Sequence, residues 1–108
     1  MEGTERFHYG VDLAADTGTA IACFADGTVT VVGESSSYGK YCTVTHANGC
    51  TTLYAHCGRI SVSSGAAVKK GEKLGEVGET GMATGPHLHF ELQKDGVYLN
   101  PIYYVETA

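Results

Sequence analysis

The chain has 108 residues, 43% of them hydrophobic, and contains no aliphatic run long enough to cross a bilayer. This length provides for one soluble domain with a modest core and leaves no room for a second. Seven Lys and Arg residues stand against 12 Asp and Glu residues, giving a formal charge of −5, and without a basic run the sequence argues against a nucleic-acid partner.

The composition predicts an all-β domain. Fifteen glycines and only two prolines are spread among short stretches rich in Val, Thr and Tyr, which favours many strands joined by tight turns. No stretch keeps a helical period, so no helix is predicted. The predicted strands, in chain order, are Thr28–Val32, Tyr41–Thr45, Thr51–Cys57, Ile60–Val62, Lys73–Val77, His87–Gln93 and Val97–Leu99. The predicted hairpin turns with positive φ are Asp26-Gly27, Asn48-Gly49 and Asp95-Gly96.

Side-chain alternation gives two of these strands a polar face and an apolar face, because residues two apart on a strand point the same way. One predicted polar face carries His87, His89 and Glu91, with Leu88, Phe90 and Leu92 behind it. A second predicted polar face carries Thr52, Tyr54 and His56, with Leu53, Ala55 and Cys57 behind it. Two such strands side by side would hold a cluster of histidines on a rigid scaffold.

Four of the five histidines fall into short motifs: His8-Tyr9-Gly10-Val11-Asp12, Tyr54-Ala55-His56 and Gly85-Pro86-His87-Leu88-His89. Catalytic zinc takes three protein ligands and leaves a fourth position to water, so the motifs supply a ligand set with imidazoles to spare. His8 and Asp12 are an even number of residues apart, and Gly10 between them permits a bend that brings both to one ion. The sequence therefore predicts a mononuclear zinc site.

Each motif also has a purely structural interpretation. His8 could be a surface residue and Asp12 a turn or N-cap residue. His87 and His89 could form a half-exposed pair on an edge strand, and His56 could be a buried histidine bonded to backbone.

Three further polar residues are open to two interpretations. Tyr54 could donate its hydroxyl to a substrate carbonyl or could serve as a cross-strand packing partner. Glu91 is interpreted as a solvated surface carboxylate, with orientation of a ligand imidazole as the alternative. His46 lies at the tip of the predicted 45–50 hairpin, where it is expected to face solvent, and it is assigned no ligand role.

An H-x-x-x-D motif, a Tyr-x-His and an H-x-H in this order resemble the lysostaphin-type, or LytM-type, zinc metallo-endopeptidases of bacterial peptidoglycan. The flanking stretches 46–49, 78–81, 84–91 and Asn100-Pro101 are similar too, and the resemblance runs from about Arg6 to Tyr104. It implies a compact antiparallel β-sandwich of the duplicated hybrid motif, or barrel-sandwich hybrid, type. The ligands and both auxiliary histidines are present, unlike in relatives that have lost ligands and act as binding partners.

Chemistry and the resemblance together assign roles to the site residues. One Zn²⁺ per domain is expected to take His8, Asp12 and His89 as ligands. His87 is the candidate general base, and His56 is the candidate that steadies the oxyanion or passes the proton on. Tyr54 is the candidate hydroxyl donor.

The expected function is zinc-dependent hydrolysis of peptide bonds in peptidoglycan stem peptides or cross-bridges. The alternative is a docking module of a cell-envelope or sporulation complex, with a protein partner and little or no catalysis. Residues 1–5 lack the apolar segment of a signal peptide. Because the expected substrate is peptidoglycan, we nevertheless expect residues 1–108 to be one domain, with a core at about 6–104, from a longer exported or membrane-anchored protein. The domain is expected to be monomeric and extracytoplasmic.

The cysteines allow three disulfide pairings among Cys23, Cys42, Cys50 and Cys57. With a turn at residues 47–49, Cys42 and Cys50 lie too far apart across the ladder for a bridge. The resembling family usually has Leu at the position of Cys57 and a small residue at that of Cys23, so both are expected to be buried and unreactive. No C-x-x-C spacing supports a Cys₄ zinc site.

Overall fold

The computed structural model describes residues 10–80, 85–94 and 97–99. In this part of the chain, nine strands follow one another: Gly10–Ala14 (β1), Ala20–Ala22 (β2), Gly27–Ser35 (β3), Gly39–His46 (β4), Cys50–Ile60 (β5), Ala67–Val68 (β6), Lys73–Val77 (β7), His87–Lys94 (β8) and Val97–Leu99 (β9). A 3₁₀ turn at Ala47–Gly49 is the one helical element in those ranges, and no helix there is long and apolar enough to cross a membrane. The all-β prediction is confirmed.

All of the pairings are antiparallel, and β5 is the strand at which the sheet branches. One edge of β5 pairs with β4, while the other edge pairs with β8 up to Ala55 and with β7 from Cys57 onward. Beyond these, β1 and β9 pair with β8, β3 pairs with β4 and β6, and β2 pairs with β7. The branched sheet closes over one core as a sandwich.

The core draws apolar side chains from both branches of the sheet, including Ile21, Val29, Val44, Tyr54, Leu74, Phe90 and Leu92. Phe90 and Leu92 lie on the back of β8, with Leu88 partly buried beside them. The predicted apolar face of β8 is therefore confirmed. Because this face is anchored in the core, the opposite face presents its histidines from a packed strand.

Six of the seven predicted strands are found. Lys73–Val77 and Val97–Leu99 have the predicted bounds, and four others lie within longer observed strands. The predicted separate strand Ile60–Val62 is wrong, because β5 continues through Ile60. The sequence missed β1, β2 and β6, two of which are only three and two residues long and show no alternation to detect.

Of the predicted turns, Asn48-Gly49 is found where β4 returns into β5, and Gly49 has φ 76°. Asp26-Gly27 is not a hairpin turn, since β2 pairs with β7 and β3 begins at Gly27. Gly27 is needed for another reason, because a Cβ there would lie 2.4 Å from the Thr45 carbonyl oxygen. Asp95-Gly96 lies outside the described residues.

The four cysteines are free, with Cys50 half-buried and the other three buried. Cys42 pairs with Tyr54 across the ladder, away from Cys50, as the turn at residues 47–49 predicts. Burial raises the pKa of Cys42 to about 12 and that of Cys57 to about 11, which suppresses the reactive thiolate.

Candidate active site

Asp12 and His89 meet on neighbouring strands. The register of β1 and β8 pairs them directly, so both side chains lie on the same face of the sheet. Nδ1 of His89 is 2.7 Å from Oδ1 of Asp12. The Asp12 side chain is 55% exposed, whereas that of His89 is 15% exposed, so the pair opens to solvent on the aspartate side. Two of the three expected ligands are therefore adjacent; the third, His8, lies outside the described residues.

Glu91 holds the other nitrogen of His89. Its Oε2 accepts a hydrogen bond from Nε2–H of His89 at 2.8 Å and another from the Tyr38 hydroxyl at 2.8 Å. Glu91 is only 7% exposed, so its interpretation as a solvated surface carboxylate is wrong. The sequence showed the shared face of His89 and Glu91 but not the loop that covers the carboxylate.

The pKa of His89 reflects competition between burial and two carboxylates. Burial is the largest single influence and lowers the pKa, because it disfavours the charged ring. The hydrogen bonds and charges of Glu91 and Asp12 together outweigh it, and the pKa of His89 lies above its ordinary value. The site thus favours positive charge at this point.

His87 lies two residues before His89, on the same face of β8. Its Nδ1 is 2.9 Å from the Gly85 carbonyl oxygen, and because a carbonyl only accepts, Nδ1 carries the proton. In the neutral ring Nε2 then holds the lone pair, and it lies 3.6 Å from Oδ1 of Asp12. The predicted common face of His87, His89 and Glu91 is confirmed by these contacts.

His56 brings a third imidazole from β5 to the same place. Its ring centroid lies 4.9 Å from that of His87 and 6.0 Å from that of His89. Nδ1 is 2.7 Å from the Thr80 carbonyl oxygen, so this nitrogen also carries a proton, and in the neutral ring Nε2 holds the lone pair. Thr80 is itself fixed, because its hydroxyl donates to the Cys57 carbonyl oxygen at 2.6 Å.

The backbone at His56 is unusual. His56 has φ 60°, and among the described residues it is the only non-glycine with positive φ. The ladder between β4 and β5 shifts register here, since Cys42 pairs with Tyr54 while Lys40 pairs with Cys57. One extra residue in β5 makes a β-bulge, which turns the His56 side chain relative to those before it. Strained backbone of this kind concentrates at functional sites.

The bulge overturns the prediction that Tyr54 shares the face of His56. Tyr54 is 1% exposed, and its ring packs on Phe90 with centroids 5.4 Å apart. Its hydroxyl oxygen lies 2.7 Å from the Thr52 hydroxyl and accepts a bond from the Phe24 N–H at 3.0 Å. Burial raises the pKa of Tyr54. This geometry fits the packing interpretation and places the hydroxyl away from the clustered histidines.

His46 also differs from expectation. It is 9% exposed rather than facing solvent, and both ring nitrogens have partners. Nδ1 donates to the Asp26 carbonyl oxygen at 2.9 Å, and Nε2 lies 2.8 Å from the Thr52 hydroxyl. It is a buried histidine with satisfied hydrogen bonds.

The residues present suit a zinc ion. Within the described ranges no group of three or more His, Cys, Asp or Glu side chains is placed to hold a metal ion. His8 lies outside those ranges. The two expected ligands that are described are of suitable chemistry, because a carboxylate oxygen and an imidazole nitrogen, here Asp12 Oδ1 and His89 Nδ1, are atoms that zinc binds. The remaining nitrogen of His89 donates to a carboxylate, which is the usual support of a zinc-bound imidazole.

Similarity to known proteins agrees with the geometry. The chain is 46% identical over 99 residues to the DD-carboxypeptidase/endopeptidase Mpg of Neisseria meningitidis, a match that covers 92% of this chain and 23% of Mpg. It is 41% identical over 105 residues to the peptidoglycan DD-endopeptidase ShyC of Vibrio cholerae, covering 94% of this chain and 23% of ShyC. The chain thus spans about a quarter of the length of these relatives.

A solved structure shows the same fold. The crystal structure of a zinc-containing peptidase from Vibrio cholerae superposes with a TM-score of 0.83 at 37% identity, covering 85% of this chain and 28% of that one. The β-sandwich implied by the resemblance is thereby confirmed. The sequence pattern of peptidase family M23 matches residues 6–101, and the chain belongs to that family.

Proposed function

We propose that this domain is a zinc-dependent endopeptidase that hydrolyses peptide bonds in the stem peptides or cross-bridges of peptidoglycan. One observation carries the proposal: side chains from β1, β5 and β8 converge, with Asp12 Oδ1 2.7 Å from His89 Nδ1 and 3.6 Å from His87 Nε2. Membership of family M23 and similarity to a peptidoglycan DD-endopeptidase support the substrate class. A peptidase of this kind acts outside the cytoplasm, where peptidoglycan lies.

The proposed ligands of one zinc ion are His8, Asp12 and His89. Zinc bound there would polarise the scissile carbonyl and lower the pKa of a water molecule to about 7. Glu91 accepts the Nε2–H of His89, so Nδ1, which lies 2.7 Å from Asp12 Oδ1, would be the nitrogen that gives up its proton to bind the ion.

His87 is the proposed general base. The Gly85 carbonyl holds the proton on Nδ1, which leaves the Nε2 lone pair near Asp12 as the site that accepts a proton from the attacking water. Protonated at Nε2, the same nitrogen can donate to the leaving amine. The short link from Gly85 to His87 thus sets the tautomer that this role requires.

His56 is the proposed second auxiliary histidine. The Thr80 carbonyl accepts its Nδ1–H, which leaves Nε2 as the nitrogen that can exchange a proton. The ring centroid lies 4.9 Å from that of His87. When Nε2 is protonated it can donate a hydrogen bond to the developing oxyanion, and when neutral it can take the proton that His87 releases. The β-bulge that turns His56 toward His87 supplies the geometry for either role.

Digestion of purified sacculi tests this proposal. The domain is expected to release soluble muropeptides whose masses show a cleaved peptide bond, to stop when a chelator removes zinc, and to resume when zinc is added back. The His87→Ala variant is the matched control for release by a contaminating hydrolase. A zinc-loaded domain that leaves sacculi uncut would contradict the proposal and favour a docking role.

A further inference from the structure

Tyr38 reaches the candidate site from the turn that joins β3 to β4. Ser35 and Gly39 pair at the ends of this hairpin, and the Ser35 hydroxyl accepts the Tyr38 N–H at 2.9 Å. Gly39 has φ 64°, a conformation that glycine adopts without strain. The turn is therefore built to hold the residue before Gly39 in one orientation.

Three contacts join Tyr38 to described residues of the site. Its hydroxyl donates to Oε2 of Glu91 at 2.8 Å. Its ring stacks on the ring of His89, with centroids 5.9 Å apart and an angle of 26° between the planes. Its carbonyl oxygen accepts the backbone N–H of His56 at 2.8 Å. One loop residue therefore touches a candidate ligand, the carboxylate behind that ligand and the backbone of a candidate catalytic histidine.

The hydroxyl contact matters because Glu91 is nearly buried. A carboxylate that is only 7% exposed needs donors, and it has the Tyr38 hydroxyl and Nε2–H of His89 on the same oxygen. The tyrosine bond fixes the rotation of the carboxylate, and the carboxylate fixes the ring of His89. The ring contact blocks the swing of His89 out of this plane.

We propose that Tyr38 is a positioning residue for the zinc site, aiming Nδ1 of His89 at the ion through Glu91 while its carbonyl anchors the backbone of His56. This inference rests on the zinc site of the proposed function. Loss of the hydroxyl alone should weaken zinc binding, because partners behind a metal-bound histidine typically contribute about 10- to 100-fold in affinity.

The test measures the zinc dissociation constant of the folded domain by competition with a chromophoric chelator. Tyr38→Phe keeps the ring and the backbone, and it should weaken zinc binding by about 10-fold. In a Glu91→Gln background the same substitution should have a smaller effect, because the hydroxyl acts through the carboxylate.

Tyr41→Phe is the matched control. The Tyr41 ring lies 5.5 Å from that of Tyr38 in the same hairpin, but its hydroxyl lies over Gly33, 3.2 Å from where a Cβ would stand there. Its zinc affinity should equal that of the wild type. Unchanged affinity in Tyr38→Phe, or an equal loss in Tyr41→Phe, would overturn the inference while leaving the zinc site intact. A wild-type domain that binds no zinc would overturn both.

A metal-free readout separates positioning from a general loss of stability. In the apo protein, the Nε2–H signal of His89 in ¹H–¹⁵N spectra should be protected from exchange by Glu91 and should lose that protection in Tyr38→Phe. If Tyr38→Phe lowers the melting temperature and yet keeps the wild-type Nε2–H signal, the hydroxyl serves stability only and the inference is wrong.

Discussion

The domain contains two groups of hydrogen-bonded histidines, which differ in the partners of their Nε2 atoms. Around His46, a chain of hydrogen bonds runs through Thr52 and Tyr54 to the Phe24 N–H, with every link inside the core. Around His89, the imidazoles of His56 and His87 are each bonded to a backbone carbonyl through Nδ1. Nε2 of His87 lies 3.6 Å from Oδ1 of Asp12, and the His56 ring lies beside the His87 ring.

The difference shows what makes a histidine available for chemistry. The Asp26 carbonyl fixes the His46 proton on Nδ1, so Nε2 accepts from Thr52, Thr52 accepts from Tyr54, and no ring atom of His46 remains to act. At His56 and His87, a backbone carbonyl bonds Nδ1 in the same way, but Nε2 of His87 lies near Asp12 and the two rings lie side by side. Burial alone does not separate the two sets, since His56 is 8% exposed and His46 is 9% exposed.

Removing a ligand should give the largest effect. His89→Ala is expected to lower the rate of muropeptide release by a factor on the order of 10³ or more, because without zinc the pKa of the attacking water is no longer lowered toward neutrality. Release from sacculi over time, at equal protein concentration, measures this. His46→Ala is the counterpart from the buried network, and it should keep most of the activity wherever it remains folded. Equal losses of activity in folded His89→Ala and His46→Ala would contradict the view that only the group around His89 takes part in hydrolysis.

Removing the proposed general base should cost less. His87→Ala is expected to reduce kcat by about 10²- to 10⁴-fold, the range that proton transfer by a positioned side chain contributes. Because the proposed role of His87 is to take a proton from the attacking water and not to bind the peptide, KM should change little. Initial rates on a cross-linked muropeptide over a range of concentrations separate kcat from KM. A His87→Ala variant with wild-type kcat would mean that His87 is not the general base.

In the buried network the expected effect is on stability. Thr52 is fully buried, and Thr52→Val keeps its shape while depriving His46 Nε2 of a donor and the Tyr54 hydroxyl of an acceptor. We expect unfolding in urea to show a loss of about 1–3 kcal/mol. The exposed Thr45 on β4 provides the control, since Thr45→Val should stay within about 0.5 kcal/mol of wild type. Equal stability of Thr52→Val and wild type would mean that the hydrogen bonds of Thr52 with His46 and Tyr54 do not stabilise the fold.

The smallest effect concerns alkaline pH. Burial raises the pKa of Cys42 from an ordinary value of 9.0 to about 12, so the unfolded chain loses this proton first as the pH rises. The contribution of the protonated Cys42 thiol to the free energy of unfolding is therefore fully present below about pH 9, and it is lost as the pH approaches 12. Cys42→Ala should flatten this decline in urea unfolding measured across that window. Cys50→Ala, at the half-buried cysteine, should leave the slope unchanged. A steeper decline in Cys42→Ala would contradict the assignment.

The sequence predicted the site best where a strand is regular. Alternation along β8 put His87, His89 and Glu91 on one face, and the uninterrupted pairing of β8 with β1 keeps them there. On β5 the same rule placed Tyr54 beside His56 and was wrong, because the bulge at His56 breaks the period of two that the rule assumes.

Contacts between distant parts of the chain account for the rest. Tyr38 and Glu91 are 53 residues apart, and a Tyr-Gly pair in a short loop indicates a turn without indicating what the tyrosine faces. His46 looked exposed because it adjoins a hairpin tip, yet its partners Asp26 and Thr52 come from the loop before β3 and from β5. Neither relation has a local signal, since both are set by how the branches of the sheet close on the core.

Zinc content of purified variants tests the central claim most directly, namely that Asp12 and His89 bind the ion while His87 and His56 face it. After identical loading and dialysis, elemental analysis should find one zinc ion per chain in the wild type and in His87→Ala. His89→Ala should retain far less than one. Equal zinc content in His89→Ala and His87→Ala would contradict the account.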